Sequence, residues 1–99
     1  MDDERIVCKT PTPGKQPTRI LKWKFELIRK KIFIILDKYP NGIYFKELPN
    51  LVSSELINEE TERLGSISWY VTTVKLHMEV EGEIERIPNF TPQKLKRKI

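Results

Sequence analysis

Gly65-Ser66-Ile67-Ser68-Trp69-Tyr70-Val71-Thr72-Thr73-Val74-Lys75-Leu76-His77-Met78-Glu79-Val80-Glu81-Gly82-Glu83-Ile84-Glu85-Arg86, with its continuation to Lys98, is the stretch that decides how this chain folds. Ser66 is a sound N-cap, and Ile67, Val71, Val74 and Met78 follow at steps of four, three and four, which places them on one helical face. Gly82 ends that helix. Residues 83–87 and 93–98 can then pair across Pro88-Asn89-Phe90-Thr91-Pro92. Leu95 between Lys94 and Lys96 alternates as a half-buried strand should, whereas Ile84 and Ile87 fall on opposite faces and leave the register open. The order is a helix, then a basic hairpin.

Working outward, Asn58 caps a short acidic turn carrying Glu59, Glu60 and Glu62, with Gly65 as its left-handed stop. Before it, Leu48, Val52 and Leu56 are spaced for a helix over residues 46–56, with Pro49 tolerated only in the first turn. Ile43, Tyr44 and Phe45 form a short pairing segment. Phe25, Ile28, Ile32, Ile35, Leu36 and Tyr39 mark an amphipathic helix over residues 22–39, closed by Pro40-Asn41-Gly42. Arg29, Lys30 and Lys31 lie largely off its apolar face, as a solvated cluster. Ahead of it, three prolines and a glycine in residues 10–19 exclude regular helix or central strand, so residues 1–21 are expected to be an extended, basic, Pro-rich arm. Gly14-Lys15 is no phosphate loop, because Lys9 and Gln16 stand where that motif needs Gly and Ser or Thr.

The 99 residues suit one domain. With a hydrophobic fraction of 38% and a longest nearly apolar run of only Ile32 to Leu36, neither disorder nor membrane spanning is expected. The opening Met1-Asp2-Asp3-Glu4 puts acids where a secretory signal needs bases, and the cytoplasm is the expected compartment. Cys8 alone cannot form an internal disulfide, and with His77 as the second soft ligand it makes no metal site, so no cofactor is expected. The net charge of +4 is unevenly spread. Residues 1–39 hold ten bases against five acids, 40–82 three against seven, and 83–99 five against two. That asymmetry suits a surface that meets a polyanion.

The fold expected from these elements is α+β, mainly α: a winged helix-turn-helix over residues 22–99, with three main helices and a small β-hairpin wing. Its partner would be double-stranded DNA. In the groove would lie Ser66, Ser68, Thr72, Thr73 and Lys75, whose hydroxyls and ammonium suit bases and phosphates. Arg86, Lys94, Lys96, Arg97 and Lys98 on the wing would hold phosphates, and Lys15, Arg19 and Lys22 on the arm would track the backbone or enter the minor groove. The competing account of each group is an exposed helix face, a basic tail and an arm packed on its own domain. Trp69, Leu76 and Val80 form a second apolar stripe that asks for a second packing partner. A large indole is expected to be buried, under the arm or in a dimer interface, in preference to stacking on a base. His77 is expected at the surface or at the edge of the core, and no carboxylate pair in a pocket argues for an enzyme.

Met78, Glu79, Gly82, Ile84 and Arg86 match a pattern that resembles the end of the recognition helix and the start of the wing in bacterial winged-helix regulators such as the MarR group. Glu83 stands where that pattern usually has an apolar residue. Residues 10–16, 65–70 and 92–95 also resemble a small family of bacterial proteins expected to be winged helices, which supplies a fold and no activity. The resemblance implies that Arg86 and the wing lysines lie near the DNA backbone and that residues 66–75 face a groove. The reading is a DNA-binding transcriptional regulator, possible as a homodimer, with no small-molecule ligand evident; the alternative is a winged-helix adaptor that binds protein through the Trp69 stripe or the acidic stretch of residues 55–62.

Overall fold

Strands β1 (Arg5–Cys8) and β2 (Thr18–Leu21) pair antiparallel, Ile6 opposite Ile20 and Cys8 opposite Thr18, in the computed structural model, which describes residues 4–98. Met1-Asp2-Asp3, read above against a secretory signal, and Ile99 lie outside the described residues. Residues 5–21 are therefore not a single extended arm. The prolines confine themselves to the connection, where no ladder N–H is needed, and the strands on either side bury Cys8 and Ile20 in the main core. The reason is alternation: Ile6, Cys8 and Ile20 share one face of the hairpin, and Val7 and Arg19 share the other.

Helix α1 (Lys22–Lys38) follows β2 without a break. The carbonyl of Glu4 accepts from the Lys22 N–H at 2.8 Å, so the hairpin satisfies a donor that the helix start leaves open. Phe25, Ile28, Ile32, Ile35 and Leu36 are buried as their spacing predicts. After the turn at Gly42 come β3 (Ile43–Tyr44), one 3-10 turn over Phe45–Glu47, and α2 (Leu48–Ser54), which has Pro49 in its first turn. The acidic segment is a helix and no mere turn: α3 (Asn58–Leu64) starts one residue past Ile57, whose N–H donates to the Glu60 carboxylate at 3.0 Å. Leu64 anchors it in the core, and Gly65 stops it at φ +86. The described residues thus contain four α-helices where the spacing predicts three main ones.

Helix α4 (Ile67–Val80) begins at Ser66, whose hydroxyl accepts from the Trp69 N–H at 3.4 Å. It packs across α1 and α2, burying Val71, Val74 and Met78. Strands β4 (Ile84–Arg86) and β5 (Lys94–Arg97) complete a three-stranded antiparallel sheet of order β3-β5-β4. Its register sets Arg86 opposite Leu95 and Glu85 opposite Lys96, so Ile84 and Leu95 point into the core while Lys94 and Lys96 point away. The architecture is α+β, and no helix among the described residues is long and apolar enough to cross a membrane.

Candidate nucleic-acid interface

The outward face of α4 carries Ser68 and Thr72, both exposed, with Ser66 exposed at its cap. Trp69 is 46% exposed rather than buried; it meets Tyr70 edge-on at 4.9 Å between ring centroids, and the Tyr70 hydroxyl accepts from Lys24 at 3.2 Å. The hairpin supplies the second packing partner on this side of the helix, but it leaves a cavity beside the indole instead of covering it. Thr73 and Leu76 are half-buried there, with His77 beneath the end of β1.

Lys75 overturns its expected place in the groove. It is 2% exposed, its ammonium 3.0 Å from the Glu79 carboxylate and 4.5 Å from the centre of the Phe45 ring. The physical reason lies in its phase. At about 100° per residue, Lys75 is only one turn from Val71 and close to the core stripe. Phe45, carried over it by the 3-10 turn, closes the boundary. Burial lowers the Lys75 pKa, and Glu79 opposes that shift by hydrogen bond and charge.

Of its two expected places, His77 takes the edge of the core. It is 9% exposed, its Nδ1 accepts from the Lys9 N–H at 3.0 Å, and its ring meets Phe25 edge-on at 5.3 Å. Burial is the first cause that lowers its pKa, with Glu81 and Glu83 opposing and Lys9 and Arg29 reinforcing. Cys8, buried alongside, has its thiol pushed up to about 11 by desolvation, so it stays protonated and inert at neutral pH.

The cations of the β4–β5 hairpin divide by face. Arg86 holds both oxygens of Glu79, at 2.6 and 3.4 Å, and Arg97 holds both of Asp37, at 2.9 and 2.8 Å, while lying 4.3 Å over Phe33. These two arginines brace the sheet against α4 and α1. Lys94, Lys96 and Lys98 alternate away from them. Lys94 lies 4.5 Å over Phe90, Lys96 is 3.6 Å from Glu85, and Lys98 is exposed with no ion-pair partner among the described residues. An exposed pair such as Lys96 with Glu85 contributes roughly 0–1 kcal/mol.

On the hairpin, Lys15 and Arg19 are exposed without ion-pair partners among the described residues, and Lys22 sits 3.5 Å from Glu4. Arg5, which the spacing does not single out, shares the outer hairpin face with Arg19. Of the expected groove residues, the fold brings Thr72 and Thr73 together with Lys15 in one cavity, and it sets Pro11 to Pro13 beside Glu79 and Arg86 in another. Ser66 and Ser68 line neither. Lys9, Gln16 and Thr18 join the first cavity without any sequence signal beyond their place in a basic, Pro-rich segment. No group of three or more His, Cys, Asp or Glu among the described residues could hold a metal ion.

A protein-family model described as a family of unknown function (DUF6958) matches residues 5–95. No curated protein and no solved structure matches the chain.

Proposed function

The chain belongs to the family of unknown function DUF6958, and from its residues we propose that it is a winged-helix protein that binds double-stranded DNA and regulates transcription. The observation that carries this reading is the strand order. A strand between the first and second helices pairs with the far strand of the hairpin that follows the last helix, which seats a basic hairpin beside the end of α4. That is the arrangement a wing needs. In this reading the first half of α4 enters the major groove with Ser66, Ser68 and Thr72, and Lys94, Lys96 and Lys98 meet phosphates. Lys75 has no part in it. Arg86 and Arg97 act by holding the wing in place, and Arg19 with Lys22 adds charge from the hairpin side. No catalytic role and no cofactor form part of the proposal.

The test is fluorescence anisotropy of a random-sequence duplex at several salt concentrations. With about five phosphates neutralised, log affinity should fall against log salt with a slope of about −4 to −5. Lys96→Glu with Lys98→Glu, which spares the two bracing arginines, should abolish most of that affinity. Full affinity in this variant would remove the wing from the interface.

A second reading has its own observation. A groove of about 390 Å³ between α1 and α3 is floored by Trp23, Leu27 and Ile57 and edged by Glu59, Glu60 and Arg63; Ile57 is 62% exposed. An adaptor would seat a basic, apolar-anchored segment there. Absence of duplex binding at low salt would make this the leading reading.

A further inference from the structure

The Pro-rich connection between β1 and β2 overhangs α4, and between them lies a cavity of about 210 Å³. One wall is the connection, with Lys15, Gln16 and Thr18; the other is the helix, with Thr72, Thr73 and Trp69. None of the described residues that line it is acidic. Lys9, also at the rim, leans 3.5 Å from Glu81, but Lys15 has no ion-pair partner among the described residues. A lysine without an ion-pair partner among the described residues, four threonines and a glutamine line one small space, beside an indole that is only half covered.

We propose that this cavity binds a small molecule bearing an oxyanion, a phosphate or carboxylate group, with Lys15 as its charge partner. The hydroxyls of Thr72 and Thr73 donate to the same oxygens from the helix side, and the Gln16 amide donates from the connection. Bonds to a charged group are the stronger kind, so a short list of donors is sufficient for affinity. Trp69 and Leu76 give the rest of the ligand an apolar wall. A space of about 210 Å³ lies below the range of drug-sized pockets, which limits the ligand to a few heavy atoms beyond its anionic group. Bound there, the ligand bridges the connection to α4, adding to the Lys9 N–H on His77 and the Lys9–Glu81 pair at the helix end. The site stands on the cavity alone and requires no DNA.

The experiment is titration of the full chain with inorganic phosphate at constant ionic strength. It is followed by Trp69 fluorescence in a Trp23→Phe background and, in the unaltered chain, by amide NMR shifts. A saturable response confined to residues 9–18 and 69–76, weakened about tenfold or more in Lys15→Gln and in Thr72→Val, is the expected result. A response that chloride reproduces, or one that persists unchanged in both variants, overturns the site. Because no duplex is present, its failure and failure of the DNA reading are separate outcomes.

Discussion

Lys75 and Glu79 show how far one position can depart from its surface reading. A buried ammonium is tolerated because a carboxylate one turn on neutralises it at 3.0 Å and a ring faces it. Removing one partner leaves the other charge uncompensated. Glu79→Gln is therefore expected to cost about 3 kcal/mol in urea unfolding, whereas Lys75→Met should cost less, because Arg86 at 2.6 Å still pairs the Glu79 carboxylate. Glu79 also anchors Arg86, so the Gln variant should loosen the β4–β5 hairpin too, seen as faster amide exchange in β4. His77 gives a pH dependence with a definite sign. Its folded pKa is below the ordinary 6.5, so it is neutral in both states above that value, and the unfolded chain takes up the proton first as the pH falls. Stability should drop as the pH is lowered below about 6.5 and level off beneath the folded pKa. Protonated Nδ1 would face the Lys9 N–H with a donor of its own. In the window from pH 7 to 5 the His77→Gln variant should lose less stability than the parent; equal losses would remove His77 as the cause.

Among the elements, α1 and α4 are legible in the sequence because each buries a stripe long enough to show its period. Ser66 and Gly82 bound α4 as their types require, Ser66 by its hydroxyl and Gly82 by a positive φ. Helix α3 is less legible. It has seven residues and buries only Leu64, so its period never repeats, and its acids read as a turn. The β3–β5 pairing depends on a close approach at Gly42, whose φ is +97. A Cβ there would lie 2.5 Å from Ile87 Cδ1 and 2.9 Å from the Leu95 carbonyl oxygen. Because backbone as well as side chain must move, Gly42→Ala should cost more than the roughly 1 kcal/mol of conformational strain alone, measured by chemical denaturation. A neutral result would mean that β3 and β5 are not held at this distance.

At the scale of the molecule, the hairpin of residues 5–21 contributes to the core, whatever its prolines suggest. Ile20 and Cys8 are buried in the same cluster as Ile28 and Met78, and Glu4 caps the start of α1. A chain that begins at Lys22 should therefore melt well below the full protein, since loss of Ile20 alone removes about 2–5 kcal/mol. An unchanged melting temperature by circular dichroism would restore the picture of a dispensable arm. By itself the sequence determined the two long helices, the Ser66 cap, the uneven charge and the helix-then-basic-hairpin order, because periods and caps are properties of one segment. Only the tertiary structure decided that Lys75 is buried, that the arginines brace while the lysines project, and that the Pro-rich connection closes a cavity over α4. Those outcomes depend on which distant segment covers a boundary position. The Lys9 N–H that meets His77 lies 68 residues away, beyond anything a local pattern can register.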